Sequence, residues 1–169
     1  MTYIVLLRGI NVGGKRKILM KDLKSLLENN SYKNVITYIQ SGNIILNSPE
    51  TNGDKIKIDI TTLIKSTFGF DVPVMVLNPE RFNTIYTLNP FLDHDISSLH
   101  VTILENPQSD IELNPEEAKQ VDNHIYLFCP NGYSKTKYTN DFFEKKLKSK
   151  ATTRNWKTIA KLMELSTTV

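Results

Sequence analysis

Two predicted strands of this chain are joined by a connection too short to cross a sheet. Apolar and β-branched residues mark strands at Val35–Ile39 and Ile44–Leu46, and only Gln40-Ser41-Gly42-Asn43 separates them. A parallel crossover needs a dozen or more residues, so these strands can pair only as an antiparallel hairpin. The first part of the chain therefore cannot form the parallel sheet that P-loop NTPases use.

The elements around this hairpin complete a familiar order. They are predicted from apolar runs and helical spacing as strand Tyr3–Leu7, a helix over residues 19–30, a helix from Ile56 to near Gly69, and strand Val72–Leu77. The order β-α-β-β-α-β belongs to the split βαβ, or ferredoxin-like, plan, in which an antiparallel sheet carries both helices on one face. We therefore predict an α+β fold whose first domain, residues 1–78, is a ferredoxin-like unit.

The rest of the chain, residues 79–169, predicts a smaller second α/β subdomain that ends in two helices. Asparagine followed by proline is typical of a helix start, because Asn caps the helix and Pro suits its first position. This pattern predicts helices beginning at Asn78-Pro79 and at Asn114-Pro115. The remaining predicted elements are strands Leu99–Leu104 and Ile125–Cys129 and two final helices capped near Thr139 and Thr153.

Bulk properties favour a cytoplasmic protein without a membrane partner. The sequence has no apolar run near the roughly 18 residues that a membrane span requires, and no secretory signal follows Met1. The single cysteine, Cys129, excludes a disulfide framework and fits a reducing compartment.

Charge is divided unevenly along the chain. The net charge of +3 is made up of +4 over residues 1–90, −7 over residues 91–134 and +6 over residues 135–169. The two basic ends could form one positive face if the fold brings them together. Alternatively, these charges lie on solvated helix faces and serve only solubility.

The first candidate site is the loop after the first strand, Arg8-Gly9-Ile10-Asn11-Val12-Gly13-Gly14-Lys15-Arg16-Lys17. Its glycines leave backbone N–H groups approachable, its cations surround them, and it contains no carboxylate, a combination that suits a phosphate. It satisfies G-x-x-x-x-G-K, but Arg16 replaces the Ser or Thr that a P-loop needs to hold Mg²⁺. The loop therefore predicts either an anion site, with Arg8, Asn11, Gly13, Gly14 and Lys15 as contacts, or a plain glycine turn.

The second candidate is the hairpin tip, in which Gln40, Ser41 and Asn43 offer polar groups. Serine, glycine and asparagine are also ordinary turn residues, so a purely structural role is the alternative.

The third candidate is the segment Ala151-Thr152-Thr153-Arg154-Asn155-Trp156. If Thr153 caps the last helix, Arg154 and Asn155 occupy its first turn, where unpaired N–H groups favour an anion. The alternative is that threonine caps, tryptophan packs in the core and arginine is solvated.

Other reactive residue types give weaker signals. His94 lies in Asp93-His94-Asp95, which we interpret as a surface loop because no second cluster with metal-ligand spacing exists. Cys129 lies in an apolar run without an adjacent cation and is interpreted as core packing. The sequence predicts no metal and identifies no cofactor, and it leaves open whether the protein is an enzyme.

The three candidate segments, in this order, resemble those of the domain of unknown function 1697 family of small bacterial proteins. The resemblance runs from Met1 to Leu165, with Tyr38-Ile39 preceding the hairpin-tip residues in the second segment. It implies an α+β fold with a ferredoxin-like N-terminal unit and a smaller second subdomain. It implies no established activity, but it favours the hairpin tip and the segment around Arg154 as signature positions.

Our hypothesis is that the three segments meet in one basic cleft that binds a phosphate-bearing small molecule or nucleotide. In it, Arg8, Lys15 and Arg154 neutralise charge, and the polar side chains orient the ligand. The alternative is a nucleic-acid-binding module that uses the basic ends and a sheet face, on which Tyr3 and Tyr38 would stack bases.

Overall fold

The computed structural model describes residues 1–106 and 108–169. This part of the chain forms a mixed α+β fold, as predicted, with two four-stranded antiparallel sheets. The strands are β1 Thr2–Leu7, β2 Lys33–Tyr38, β3 Asn43–Asn47, β4 Val74–Leu77, β5 Leu99–Leu104, β6 Ala118–Val121, β7 His124–Phe128 and β8 Ala151–Asn155. The α-helices are α1 Met20–Asn29, α2 Gly53–Phe68, α3 Pro79–Thr87, α4 Asn140–Leu147 and α5 Trp156–Ser166, with short 3₁₀ helices at Ile96–Ser98 and Tyr133–Lys135.

The first sheet has the strand order β2-β3-β1-β4, and every neighbouring pair is antiparallel. The predicted order β-α-β-β-α-β is therefore confirmed. Alternate residues of β1 point to one face of the sheet, where Tyr3, Val5 and Leu7 share a core with buried leucines and isoleucines of α1 and α2. Because Leu6 pairs with Asn43, the end of β1 lies beside the start of β3. This register places the loop after β1 at the same edge as the β2–β3 turn.

Local capping explains where several helices begin and end. The Asn52 side chain accepts hydrogen bonds from the N–H groups of Asp54 and Lys55 at the start of α2, and Gly69 ends that helix with a φ of 85°. Glycine adopts this left-handed conformation without a Cβ penalty, which makes it a natural helix stop. Asn78 caps α3 as predicted, because its Oδ1 accepts from the Arg81 N–H at 2.8 Å.

The second sheet has the order β6-β7-β5-β8 and is also antiparallel throughout. Helix α4 covers one face, where Phe143 and Leu147 share a core with Leu127 and Ala151. Thr139 caps α4 as predicted, accepting a 3.2 Å hydrogen bond from the Phe142 N–H.

The chain divides into two compact units, residues 1–83 with 162–169 and residues 84–161. The predicted domains, 1–78 and 79–169, differ from this division mainly at the C-terminus. Residues from the end of α5, among them Met163, line a cavity of about 290 Å³ together with Ile4 and Phe82. The last residues therefore belong with the first unit.

Two predicted helix starts are wrong. Asn114-Pro115 opens only a turn, in which the N–H groups of Glu117 and Ala118 donate to the Asn114 carbonyl, and the chain then enters β6. Thr153 does not cap a helix, because it lies inside β8. Strand pairing overrides the local helix signal in both places: β6 forms a hairpin with β7, and β8 pairs with the distant β5.

Candidate functional site

The loop after β1 contains a small turn that projects its glycines and cations. Val12 and Lys15 form an isolated antiparallel bridge, and the Lys15 N–H donates to the Val12 carbonyl at 3.1 Å. Between them, Gly13 and Gly14 have φ values of 59° and 73°. Two consecutive positive φ values belong to a type I′ turn, which strongly favours glycine. The two glycines are therefore required by the geometry of this turn.

Asn11 fixes this loop to the hairpin tip. Its side-chain amide donates to the carbonyls of Ile18 at 2.9 Å and Gln40 at 2.8 Å, and its Oδ1 accepts from the Ile18 N–H at 2.9 Å. Both amide protons and the side-chain oxygen are thus bonded to main-chain atoms. These bonds give Asn11 a structural role, and its contact with a ligand stays a prediction.

Gly42 brings the hairpin tip against the end of β1. The Leu7 N–H donates to the Gly42 carbonyl at 2.8 Å. A Cβ added to Gly42 would lie 2.7 Å from Leu7 Cβ and 2.8 Å from Ile10 Cδ1, at a φ of +84°. Only glycine permits this approach, because any side chain would meet both a steric clash and an unfavourable backbone conformation. The expected adjacency of the first two candidate segments is confirmed.

The other tip residues divide into buried and exposed ones. Asn43 is fully buried, and its amide donates to the Tyr38 carbonyl and to Ser41 Oγ, both at 3.0 Å. Gln40 and Ser41 are exposed. Asn43 therefore shapes the turn from inside, and Gln40 and Ser41 remain the outward-facing polar residues of the tip.

The loop at this edge carries positive charge and no negative charge. Lys15, Arg16 and Lys17 are exposed, Arg8 is half-buried, and residues 8–19 include no carboxylate. A Cβ on Gly9 would lie 3.3 Å from an Arg16 guanidinium nitrogen, so this cation folds back over the glycine. We name residues 12–17 the cationic turn. Its exposed groups can donate hydrogen bonds and neutralise an anion.

Thr153, by contrast, is used inside the second unit. It lies opposite Thr102 of β5, and the two hydroxyl oxygens are 2.7 Å apart. The Thr153 hydroxyl also donates to Asn140 Oδ1 of α4 at 2.7 Å. These bonds link two strands and a helix, so Thr153 has a structural role.

Arg154 points to the opposite face of the same strand. Successive strand residues alternate in direction, so Arg154 cannot share a face with Thr153. Only 9% of Arg154 is exposed, and burial lowers the pKa of its guanidinium to about 10, which still leaves it charged at neutral pH. It donates to the Thr153 carbonyl at 3.1 Å. The prediction that Arg154 lies in the first turn of a helix is wrong.

Asn155 is the true cap of the last helix. Its Oδ1 accepts a 2.8 Å hydrogen bond from the Thr158 N–H, and α5 begins at Trp156. The predicted cap is therefore displaced by two residues, from Thr153 to Asn155. An asparagine that caps a helix with its side-chain oxygen has that oxygen committed to the main chain.

The structure thus brings together the candidates of the first unit. Within the first unit, the loop residues and the hairpin tip share one sheet edge. The three residues of the third segment belong to the second unit, and their predicted convergence with that edge stays a prediction.

Sequence reasoning missed three exposed apolar residues within or next to the first two candidate segments. Val12 and Leu19 are each 67% exposed, and Ile39 is 46% exposed with a φ of 50°. Positive φ is unusual for a β-branched residue and is costly to maintain. The periodicity used to find strands counted Ile39 as part of β2 and so concealed it.

The remaining reactive residues behave largely as predicted. His94 is partly exposed in a loop and stacks on Phe128 with ring centroids 4.1 Å apart. Cys129 is buried in the core of the second unit, and burial raises the pKa of its thiol.

Over residues 1–106 and 108–169, no group of three His, Cys, Asp or Glu side chains could hold a metal ion. The helices of this same part of the chain include none long and apolar enough to cross a membrane.

Comparison with known proteins supports the fold and the family. A solved structure, that of the conserved bacterial protein SP0830 from Streptococcus pneumoniae, is similar with a TM-score of 0.72 at 24% sequence identity, covering 98% of each chain. At this identity the likeness shows the fold alone. Among curated proteins, none matches this chain. The family described as Protein of unknown function (DUF1697) matches residues 1–128, which include the first two candidate segments but not the third. The chain therefore belongs to the domain of unknown function 1697 family.

Proposed function

We propose that the first unit binds a phosphate-bearing small molecule or nucleotide at the cationic turn. One observation carries this function: exposed glycine N–H groups and exposed cations occupy the same turn. No described residue accepts a hydrogen bond from the N–H groups of Gly13 or Gly14. Lys15, Arg16 and Lys17 follow them directly. Main-chain donors and cations together suit an oxyanion, and charge-assisted hydrogen bonds are about twice as strong as neutral ones.

The helix that follows adds donors of the same kind. Helix α1 begins at Met20, and its N-cap residue, Leu19, forms no side-chain capping hydrogen bond. The first N–H groups of a helix lack partners within the helix, and the helix dipole favours negative charge there. A phosphate held by the cationic turn would gain from this helix start, although Asp22 in its first turn opposes the effect.

Asn11 and Gly42 supply the rigidity that such a site needs. The Asn11 amide fixes both ends of the turn, and Gly42 packs the hairpin tip against Leu7. Binding groups held in advance lose less conformational entropy when the ligand arrives. Gln40 and Ser41 then offer exposed hydrogen-bonding groups on the same edge.

The alternative, a nucleic-acid-binding module, has less support on the sheet face. Tyr3 is 1% exposed, and its hydroxyl donates to the Glu50 carbonyl, so it offers no surface for stacking bases. Tyr38 is half-buried. Nucleic acid would then be bound through its phosphates alone. A plot of the logarithm of the binding constant against the logarithm of the salt concentration would then have a slope of about −0.7 to −0.9 per phosphate contacted.

Two charge-matched variants of the full chain test the proposal. Lys15→Gln with Lys17→Gln removes two cations from the turn, and Lys145→Gln with Lys146→Gln removes two exposed cations from α4. Thermal shift is measured with pyrophosphate, adenine nucleotides, sugar phosphates and short oligonucleotides. We expect a phosphate compound to stabilise the wild type and the α4 variant but not the turn variant.

Equal stabilisation of both variants would contradict the proposed site. Stabilisation by oligonucleotides alone, with a steep salt dependence, would support the nucleic-acid alternative instead. A bacterial origin remains part of the proposal, and so does a cytoplasmic location, which fractionation of the source cells tests.

A further inference from the structure

The second unit contains a cavity that none of the candidate segments includes. Its volume is about 370 Å³, within the range of small-molecule sites. It lies where β7 ends, and its polar lining includes Asn114, Glu117, Asn131, Lys135, Thr136 and Lys137. Because all of these residues belong to residues 84–161, the cavity is contained within one unit.

The chain after β7 is shaped to leave this space open. The Gly132 N–H donates to the Cys129 carbonyl at 3.0 Å, and the Lys135 N–H then donates to the Gly132 carbonyl at 3.1 Å. Gly132 has a φ of +91°, and a Cβ added there would meet nothing within 4 Å. Two successive turns therefore carry the chain around the cavity without filling it.

The cavity lining has more donors and positive charge than its neighbours satisfy. Among the described residues, neither Lys135 nor Lys137 forms an ion pair. The Lys137 ammonium lies 5.1 Å from the centroid of the Tyr138 ring, a cation–π contact that restrains it. The Asn114 oxygen accepts from the Glu116 N–H at 3.2 Å, and no described residue accepts from its amide nitrogen. Two cations face a single carboxylate, that of Glu117.

The thiol of Cys129, which lines the cavity, is unreactive. Cys129 is 5% exposed, and burial raises the pKa of its thiol. A hydrogen bond with the Thr136 side chain lowers this pKa in part, and the Glu117 carboxylate raises it. A neutral thiol is a poor nucleophile, because the thiolate is the reactive form. The cavity is therefore suited to reversible binding.

We propose that this cavity binds a small organic anion through one carboxylate or phosphate group held between Lys135 and Lys137. Asn114 and Asn131, which also line the cavity, donate further hydrogen bonds. Glu117 weakens the binding of a simple anion, because like charges on one rim repel. The two kinds of charge thus have opposite effects on affinity.

Removing the lysines and removing the glutamate should therefore change the affinity in opposite directions, which is tested on the full chain. Benzoate, acetate and inorganic phosphate are titrated separately while the backbone amide signals of Cys129 and Gly132 are followed by NMR. We expect Lys135→Gln with Lys137→Gln to weaken binding about fivefold or more, and Glu117→Gln to strengthen it about twofold to fivefold. The α4 variant, Lys145→Gln with Lys146→Gln, is expected to leave affinity unchanged.

The separate titrations distinguish the two sources of the anion. Tighter binding of benzoate or acetate than of phosphate identifies a carboxylate ligand, and the reverse order identifies a phosphate. Absence of shifts at Cys129 and Gly132, or equal affinity in all variants, overturns the proposal. The turn variant, Lys15→Gln with Lys17→Gln, should bind here normally, so failure at this cavity and failure at the cationic turn are separable.

Discussion

The cationic turn and strand β8 both carry polar residues but use them in different ways. Both were predicted to contact one ligand. In the turn, Lys15 and the glycine N–H groups face outward, and the anchoring hydrogen bonds come from Asn11. In β8, Thr153 and Asn155 bond to groups of their own unit. A polar segment is a candidate site only when other residues provide its structural hydrogen bonds.

The largest effect is expected for Gly42→Ala, which tests whether the hairpin tip supports the turn. The added methyl group meets Leu7 and Ile10 at less than 3 Å and requires a left-handed conformation. We expect a loss of about 2–4 kcal/mol in the free energy of unfolding, measured with urea. Gly13→Ala is the control, because its Cβ meets nothing within 4 Å and only the cost of its φ, about 1–2 kcal/mol, remains. Equal losses in the two variants would show that the packing at Gly42 is unimportant.

A slightly smaller effect is expected for Asn11→Ala. This variant loses three hydrogen bonds to main-chain atoms. Because none of them is fully buried, each contributes about 0.5–1 kcal/mol, which predicts a loss of about 1.5–3 kcal/mol. The Ile18 amide should also exchange faster with solvent. Asn11→Asp should be at least as destabilising, because it places a carboxylate oxygen against two carbonyls. A neutral outcome for both would remove the structural distinction between Asn11 and the exposed turn.

Much of the fold could be predicted because its signals are local. The end of α2 at Gly69 and the caps at Asn78 and Thr139 each depend on residues within one helical turn. The antiparallel pairing of β2 and β3 followed from a connection too short for a crossover. Each of these inferences needed only a few neighbouring residues.

The contacts of Thr153 and Asn11 could not be predicted from the local sequence pattern. Thr153 carries an ordinary cap signal, but its partner in the sheet, Thr102, lies 51 residues earlier. The bonds of Asn11 end on main-chain carbonyls, which every residue type possesses, so no pattern in the sequence predicts them. The sequence pattern does not predict the cavity beside Lys135 either, because that cavity depends on how two turns fold back.

Thr153→Val tests the other side of the comparison. Valine keeps the shape but removes the hydroxyl that bonds to Thr102 and Asn140, so we expect a loss of about 1–2 kcal/mol in stability. Thr102→Val and the double variant complete a double-mutant cycle. The two losses should be less than additive, because they share one hydrogen bond. Strict additivity would count against the contact.

The smallest effect is expected for Asn155→Ala. Loss of the N-cap should cost about 1 kcal/mol, and Asn155→Asp should retain most of the stability because aspartate caps equally well. Urea unfolding of both variants provides the measurement. If phosphate binding falls while stability is unchanged, Asn155 is a ligand contact and the contrast between the two regions fails.

The way Asn11 is bonded has a consequence for mutational tolerance. At the tip its partner is the main chain of residue 40, so almost any amino acid at that exposed position can serve equally well. Position 11 needs a short amide and also tolerance of its φ of 56°, a pair of demands that asparagine meets best. In a saturation library selected for stability, position 40 should therefore accept most amino acids and position 11 very few, although the two residues form one contact.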